Sequence, residues 1–556
     1  MARILDFDDK IDDNQYILNK FPLKKPRPGQ IETIKLMLDW LQNSNNKYAC
    51  LEAPTGSGKS VMAYTIAQFF DSVYYITSSK QLQSQLIDDF GTDGKTVDLK
   101  GRNAYPCIYW DIRNEWLMQN KILPIEDINL YPKPHKPYIG CDEGVCKIRD
   151  KVAKCSICIS GTTMCKYFAR LNQAQAAHMA VMNFKSFLFQ TSVVKQFHPR
   201  RLLIIDEAHN AENQLLDFVS ISLSDISFSP LKFPKLETVQ EYIKFIKDNK
   251  LHEDVISKAR LALLGGKKNE ADDWEQLALK LERLLLEDNN ELDKWICQYK
   301  ESKNGTIRTI ELKPIFINTF AKKYLFDFAD KILLMSATIL DPKELCNALG
   351  IDEAKTFSYK MASRFPIEHR PILLNTIGSL SYKNKHNTYP KLIDEVTRLC
   401  KHHHDQRGII HTHNFEIARL LIDSCPNEVT KRFKFQHNFR TKEEMLQTHS
   451  TDPTSIIIAP AMHEGIDLKD DLARFQIITK VPYPSLADNK QLEARMKLSP
   501  TFYDLQVALK LCQSYGRVIR NEEDWAITYI LDSDIHWFLK KAAPLIPTWF
   551  SEAIQK

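Results

Sequence analysis

The sequence predicts an α/β protein with two parallel-sheet domains, and three features of the 556-residue chain support that prediction. Strand-like apolar runs alternate with helical patterns from about residue 47 to 100 and again after about residue 346. Strands separated by helices pair in parallel, because each helix returns the chain to the same end of the sheet. Two stretches, 107–165 and 211–318, break the alternation and are predicted to be insertions into the first domain.

Composition and charge are those of an ordinary globular protein, with 44% hydrophobic and 26% charged residues. The length allows about three or four domains that each bury a core. The formal net charge of +5 permits a polyanionic partner without requiring one. No run approaches the roughly 18 apolar residues of a membrane span, and the charged N-terminus has no apolar signal core. We therefore expect a soluble, intracellular protein with no membrane partner.

A phosphate-binding loop is predicted at residues 53–60, which read Ala-Pro-Thr-Gly-Ser-Gly-Lys-Ser. The small residues in its middle let backbone N–H groups turn onto phosphate oxygens. Lys59 is expected to reach the β- and γ-phosphates, and the Ser60 hydroxyl to bind Mg²⁺. The strict pattern has glycine where this chain has Ala53. The nucleotide-binding residues predicted here are Ala53, Pro54, Thr55, Gly56, Ser57, Gly58, Lys59 and Ser60.

The sequence Asp206-Glu-Ala-His209 follows an apolar run at 202–205 and is predicted to be the magnesium and water site. Asp206 is expected to hold Mg²⁺ directly or through water. Glu207 is expected to position the attacking water and accept its proton. Acidic residues after a strand are often only helix caps, but the phosphate loop upstream favours catalysis. Together the two motifs predict nucleoside triphosphate hydrolysis.

The second α/β domain offers the positive charge that phosphoryl transfer requires. Its predicted strands lie at 408–411, 455–458 and 475–478. Residues 513–520 read Gln-Ser-Tyr-Gly-Arg-Val-Ile-Arg, which places Arg517 and Arg520 at i and i+3 on one helical face. We expect both arginines to reach the γ-phosphate when the domains close. Closure on ATP and opening on hydrolysis would convert chemistry into domain motion, which is typical of a motor.

Six of the 12 cysteines lie within 59 residues, in a Pro-rich stretch with weak periodicity. In a reducing compartment thiols and metal ligands are more common than disulfides. The residues alone indicate an insertion ordered by metal coordination and leave iron–sulfur, zinc and free thiols open. The six residues are Cys107, Cys141, Cys146, Cys155, Cys158 and Cys165.

In their order along most of the chain, the motifs resemble those of the XPD/DinG-type iron–sulfur helicases of superfamily 2, which carry a DEAH box. Two positions depart from the family: Phe184 follows Asn183 where the family usually has histidine, and the segment 77–85 lacks the arginine that the family often has. The similar segments are Arg27-Pro-Gly-Gln30, 77–85, Ser336-Ala-Thr338, Glu464-Gly-Ile-Asp467, Pro482-Tyr-Pro484 and 513–520.

The resemblance implies two RecA-like motor domains, with an iron–sulfur insertion and a mostly helical arch insertion in the first. The implied boundaries are 1–106 with 166–210 and 319–345 for the first motor domain, 107–165 for the iron–sulfur insertion, 211–318 for the arch and 346–556 for the second motor domain.

The resemblance also implies residue roles. Arg27 and Gln30 would read adenine, and Asp467 would join the nucleotide-binding residues. Cys107 and Cys165 would ligate a [4Fe–4S] cluster, because the segments 100–107 and 165–170 resemble the flanks of that domain. Two more ligands would come from Cys141, Cys146, Cys155 and Cys158. The implied catalytic set is Lys59, Asp206, Glu207, Gln513, Arg517 and Arg520.

The expected function is that of an ATP-dependent DNA helicase that moves 5′→3′ on single-stranded DNA and unwinds forked duplexes in repair, recombination or replication. Its cofactors would be ATP, Mg²⁺ and the [4Fe–4S] cluster. The expected location is the cytoplasm or nucleoid, or the host cytoplasm for a viral protein. Alternatives are an RNA- or R-loop-directed motor of the same fold, and a scaffold subunit with a dispensable ATPase. The intact catalytic set argues against the scaffold.

Polar residues after two predicted strands are candidate contacts to the nucleic acid backbone. Ordinary polar loop residues at strand ends are an equally good interpretation. The candidates are Thr77, Ser79, Lys80, His411, Thr412 and His413. A separate run, His402 to His404, is expected to be a solvated helix end rather than a metal site.

Overall fold

The structure is a computed structural model that describes residues 13–107, 140–141, 165–265, 267–287, 292–302, 304–460, 468–486, 489–519 and 522–555. The strands of these ranges, numbered in chain order, are β1 Tyr48–Glu52, β2 Val73–Thr77, β3 Thr96–Asp98, β4 Met179–Asn183, β5 Arg200–Asp206, β6 Ile221–Ser224, β7 Trp295–Glu301, β8 Ile307–Pro314, β9 Ala329–Ser336, β10 Thr356–Lys360, β11 Ile372–Leu373, β12 Gly408–His411, β13 Phe433–Phe435, β14 Ile456–Ala459, β15 Phe475–Ile478 and β16 Ile527–Ile530.

The α-helices of the same ranges surround the sheets. They are Asp13–Leu18, Gln30–Leu41, Lys59–Ala67, Lys80–Phe90, Lys166–Ala176, Phe184–Leu188, Ala211–Val219, Val239–Asp248, Leu251–Leu264, Lys268–Leu285, Asn318–Tyr324, Pro342–Leu349, Lys385–His402, Phe415–Ser424, Asn427–Thr430, Lys442–Thr451, Lys490–Leu498, Phe502–Tyr515, Asp534–Lys541 and Thr548–Ser551. No helix in the described part of the chain is long and apolar enough to cross a membrane.

The first sheet has seven strands in the order β10-β1-β9-β5-β2-β4-β3, and every neighbouring pair is parallel. All five residues of β2 are buried, as expected for a parallel sheet covered on both faces. Strand β9 lies between β1 and β5, so the carboxyl ends of these three strands meet at one edge. The edge strand β10 belongs to this first sheet, although the predicted boundary at residue 346 assigns it to the second domain.

The second sheet has six strands in the order β11-β16-β15-β12-β14-β13, again paired in parallel. Its strands β12, β14 and β15 lie where apolar runs predict them, and isoleucine-rich β14 is fully buried. The prediction of two parallel-sheet α/β domains is therefore confirmed. The described residues between 211 and 318 form helices together with a three-stranded antiparallel sheet, β6-β8-β7, so this stretch is not helical alone.

The histidine run at 402–404 differs from its prediction as a solvated helix end. The His403 side chain is 4% exposed and its ring stacks on Phe475, with centroids 4.3 Å apart. Its Nε2 lies 3.0 Å from the Tyr529 hydroxyl oxygen. Burial is the main cause that lowers the pKa of His403. The helix end therefore turns its middle histidine into the core of the second domain.

Arg200 joins the start of β5 to the helix Lys166–Ala176. One terminal nitrogen donates to the carbonyl oxygens of Ala174 at 2.8 Å and Gln175 at 3.0 Å. The other donates to Val73 and Ala177. A cation near the last carbonyls of a helix also interacts favourably with the helix dipole. Arg200, 8% exposed, thus anchors that helix to the strand that ends at Asp206.

Replacing Arg200 with methionine should lower the free energy of unfolding by about 3 kcal/mol, because several buried carbonyl groups lose charged donors. The matched control is Arg201→Met, which removes an exposed side chain whose ion pair with Asp330 is 2.7 Å long. That control should cost less than about 1 kcal/mol. Denaturant unfolding followed by circular dichroism compares the two variants, and equal losses would contradict the anchoring role.

Candidate functional site

The loop at 53–60 connects β1 to the helix Lys59–Ala67 and bends where the sequence has glycine. Gly56 and Gly58 have φ angles of 78° and 82°, a left-handed conformation that glycine adopts without steric cost. The Ala53 N–H donates to the Ser336 carbonyl at 2.9 Å, which ties the loop to the end of β9. Lys59 Nζ lies 3.2 Å from the Ala53 carbonyl oxygen, so the side chain folds back over the loop.

Arg27 and Gln30 support this loop from the preceding segment. Gln30 is 2% exposed, and its amide nitrogen donates to the Ser57 carbonyl at 2.8 Å. The Arg27 backbone N–H donates to the Gln30 amide oxygen at 2.8 Å, and its guanidinium donates to the Gly56 carbonyl. A Cβ at Gly58 would lie 2.3 Å from the Gln30 amide nitrogen. Both residues therefore fix the loop backbone, and their role in reading adenine remains a prediction.

Asp206 and Ser60 meet at Tyr75, a buried residue of β2. The Tyr75 hydroxyl lies 3.5 Å from Asp206 Oδ2 and also hydrogen-bonds with Ser60. Burial, followed by the charge of Glu207, raises the pKa of Asp206 to about 6, while Lys59 opposes the rise. A buried carboxylate next to a hydroxyl is a donor set that suits Mg²⁺, because hard cations prefer oxygen ligands. The residues present therefore fit a magnesium ion.

Glu207 contacts the end of β9 through a hydroxyl group. The Ser336 hydroxyl lies 3.4 Å from Glu207 Oε2 and 2.6 Å from His209 Nδ1. The Thr338 backbone N–H donates to the same hydroxyl oxygen at 3.1 Å. The Ser336-Ala-Thr338 segment is therefore joined to the predicted catalytic base by a short chain of polar contacts. The spacing of residues in the sequence does not predict the contact between Ser336 and Glu207.

The second domain reaches the loop through the end of the helix Phe502–Tyr515. A Cβ on Gly516 would lie 3.6 Å from the Thr55 hydroxyl oxygen, so the Gly516 backbone lies close to the Thr55 side chain. The Arg517 Nε–H donates to the Gln513 carbonyl at 3.1 Å. A cleft separates the domains here.

Six predicted residues of the loop and the two catalytic motifs line this cleft: Pro54, Thr55, Lys59, Glu207, Gln513 and Arg517. Arg520 and Asp467 lie outside the described residues. The structure thus brings together the predicted phosphate-binding lysine, the predicted base and one predicted arginine from two different domains.

Sequence reasoning missed five further residues of the cleft wall: Ser363, Phe365, Arg370, Cys512 and Trp549. The first three lie between β10 and β11, and Trp549 lies in the helix Thr548–Ser551. None belongs to a short motif with a recognisable spacing. Only the packing of distant segments brings them to the nucleotide cleft.

Three of the clustered cysteines lie together. Cys107, Cys141 and Cys165 are 7%, 2% and 6% exposed, and the sulfur atoms of Cys141 and Cys165 are 3.7 Å apart. Hydrogen bonds with Cys107 and Cys165, followed by burial, raise the pKa of the Cys141 thiol far above its ordinary value. Within the described ranges no set of three or more His, Cys, Asp or Glu side chains has a metal-binding arrangement. Cys146, Cys155 and Cys158 lie outside those ranges.

Two family models match the chain, one on each side of the cleft. The model for the type III restriction enzyme res subunit matches residues 23–249, which include the phosphate loop and Glu207. The model for the helicase C-terminal domain matches residues 396–553, which include Arg517. No curated protein matches the chain by sequence.

Solved structures of XPD proteins share the fold over nearly the whole chain. An XPD helicase has a TM-score of 0.64 at 14% sequence identity and covers 94% of this chain and 99% of its own. An apo XPD structure has a TM-score of 0.57 at 14% identity, with coverage of 92% and 98%. Xpd4 from S. tokodaii has a TM-score of 0.55 at 13% identity, with coverage of 95% and 99%.

The ranges that the two family models match include the two halves of the nucleotide site, in the order that the motifs predict. The XPD fold extends over both halves. The chain thus matches a helicase C-terminal domain model in its second domain and has the fold of solved XPD helicases over nearly its whole length.

Proposed function

We propose that this protein is an ATP-dependent DNA helicase that moves 5′→3′ along single-stranded DNA and unwinds duplex DNA in repair, recombination or replication. The observation that carries the proposal is the shared cleft of Lys59, Glu207 and Arg517. A phosphate-binding lysine, a carboxylate base and an arginine from a second domain are the groups that γ-phosphoryl transfer uses. Their meeting at one cleft couples ATP hydrolysis to the relative position of the domains.

Each residue has a distinct part in the reaction. Backbone N–H groups of the loop and Lys59 bind the β- and γ-phosphates. Ser60 and Asp206 would hold Mg²⁺, which neutralises phosphate charge when bound. Glu207 orients the attacking water and accepts its proton. Arg517 stabilises the negative charge that develops on the transferred phosphoryl group, and it can do so only while the two domains lie close together.

Fewer of the predicted residues are available to contact a DNA strand than the sequence indicates. Thr77, His411 and Thr412 are completely buried, and the Thr77 hydroxyl donates to the Ser79 carbonyl at 2.9 Å. These three residues therefore serve the fold. Lys80 is exposed at the first turn of the helix Lys80–Phe90, and we propose it as a contact to the phosphate backbone of the translocated strand.

For the insertion after residue 107, we propose a [4Fe–4S] cluster held by four thiolates. Three would be Cys107, Cys141 and Cys165, because the Cys141 thiol contacts both of the others. The fourth would come from Cys146, Cys155 or Cys158. The cluster would order a weakly periodic stretch of chain into a rigid wedge that splits the duplex.

Strand displacement on matched duplexes tests the proposed function. Anaerobically purified protein with ATP should unwind a duplex that carries a 5′ single-stranded DNA tail and leave a 3′-tailed duplex intact, because the family resemblance implies 5′→3′ movement. Unwinding from the 3′ tail alone would refute the polarity. Unwinding of an RNA-tailed duplex in preference to the DNA one would replace DNA with RNA as the substrate.

A Glu207→Gln variant should keep ATP binding and lose at least about 100-fold in ATP turnover, because the amide cannot accept a proton from water. The control is Glu353→Gln, which changes an exposed carboxylate of the same domain. Filter binding of labelled ATP and a phosphate-release assay measure the two properties. Turnover close to that of the control would rule out Glu207 as the base.

Changing Cys107 to serine should remove the visible absorbance and the iron of the cluster and abolish unwinding. Part of the ATPase should survive, because the phosphate site is built by other elements of the domain. Cys425→Ser is the matched control, since Cys425 is also buried but lies in the second domain. If the purified wild-type protein contains zinc instead of iron and lacks the visible absorbance of a cluster, the site binds zinc.

A further inference from the structure

The two sheets are connected by an interdomain segment, residues 361–371, between the end of β10 and the start of β11. Ser363, Phe365 and Arg370 of this segment line the nucleotide cleft. The backbone that joins the two domains is therefore itself part of the cleft wall. Nucleotide binding or hydrolysis can therefore change the conformation of residues 361–371 directly, and the reverse also holds.

Arg370 holds this segment against the helix Thr548–Ser551. Its side chain is almost completely buried, and its Nε–H donates to the Phe365 carbonyl at 3.1 Å. One terminal nitrogen donates to the Trp549 carbonyl, and the other lies 2.5 Å from Glu552 Oε1. The planar guanidinium can donate hydrogen bonds to these three acceptors at once. A lysine ammonium at the same place would not reproduce this geometry.

Trp549 connects the same helix to the arginine-bearing motif of the second domain. Its ring stacks on Tyr515 with centroids 5.8 Å apart and an interplanar angle of 8°, a geometry that is favourable for aromatic pairs. The Tyr515 hydroxyl donates to the Arg370 carbonyl at 2.7 Å. Tyr515 ends its helix and is followed by Gly516 and Arg517.

The helix Thr548–Ser551 is in turn attached to the second sheet. The Ile372 N–H in β11 donates to the Ala553 carbonyl at 2.8 Å, and the Gln555 N–H donates to the Ile372 carbonyl at 2.9 Å. Trp549 is thus presented to Tyr515 from a backbone that is fixed to the sheet. The indole N–H of Trp549 is buried and has no hydrogen-bond partner among the described residues. The indole therefore contacts Tyr515 through ring stacking and not through a hydrogen bond.

We propose that Arg370 and Trp549 are positioning residues for ATP hydrolysis, which hold Tyr515 so that Arg517 faces Lys59 and Glu207 across the cleft. The inference rests on the proposed function and extends it to two residues outside the motifs. Neither residue is assigned a contact with the reacting atoms. Their effect passes through Tyr515 to the backbone of Arg517, where a displacement of about 1 Å is enough to lower the rate of catalysis strongly.

The test is steady-state ATP hydrolysis with saturating single-stranded DNA for three variants of the full chain. Trp549→Ala should lower kcat at least about tenfold while KM for ATP stays within about twofold, because the stack acts on the arginine rather than on nucleotide binding. Trp549→Phe should recover most of kcat, since phenylalanine still places an aromatic ring against Tyr515 and the lost indole N–H has no partner among the described residues. The control is Trp537→Ala, which removes a tryptophan that is 57% exposed in the helix Asp534–Lys541.

A kcat of Trp549→Ala equal to that of Trp537→Ala would overturn the proposal. A loss of kcat that is accompanied by a raised KM and a lowered melting temperature, and that Trp549→Phe does not repair, would show a merely structural role and also overturn it. Should Trp549→Ala fail to fold, Glu552→Gln weakens the hold on Arg370 without changing its shape, and an unchanged kcat there would refute the proposal. A wild-type protein without DNA-stimulated ATPase would instead refute the proposed function.

Discussion

Lys59 and Arg517 carry the same charge, belong to different domains and line the same cleft. Two such cations repel one another unless an anion lies between them, and the repulsion is stronger in a cleft than in open water. A bound triphosphate replaces this repulsion with attraction from both sides. The closeness of the two domains therefore depends on the charge of the nucleotide, and its loss on hydrolysis weakens the attraction that opposes opening.

The arrangement of the first sheet makes this possible. Because β9 lies between β1 and β5, the ends of three parallel strands deliver the phosphate loop, Ser336 and Asp206 to one edge. Ligand sites of open parallel sheets lie outside the carboxyl ends of the strands. The hydroxyl of Ser336 then contacts Glu207, so the end of a neighbouring strand touches the predicted base.

Residues with a local chemical signal could be predicted from the sequence. The glycines of the loop and the acidic pair at Asp206 stand at fixed offsets from apolar runs, and the structure puts Lys59 and Glu207 in one cleft. Arg370 and Trp549 have no such signal, because they are separated from each other by most of the second domain and meet only after it folds. The same holds for Arg200, whose five carbonyl partners come from β2, from the end of the helix Lys166–Ala176 and from the two residues after it.

Burial was the property that the sequence predicted least well. His403 stands in a run of polar residues, yet its ring stacks on Phe475 within the core. Thr77 and His411 are the last residues of β2 and β12 and are buried. The position of the last buried residue of a strand depends on what covers the strand end, and a single sequence does not contain that information.

Glu207 adopts a φ angle of 54°, in the left-handed region where residues other than glycine lose roughly 1 kcal/mol or more of conformational free energy. The backbone N–H of Glu207 donates to Asp206 Oδ1 at 3.0 Å, and the carboxylate contacts Ser336, so the surrounding contacts hold the residue in this conformation. The left-handed backbone and these contacts together set the direction of the Glu207 carboxylate. If those contacts loosen, the peptide can relax and turn the predicted base away from the cleft, so the position of this carboxylate depends on the end of β9.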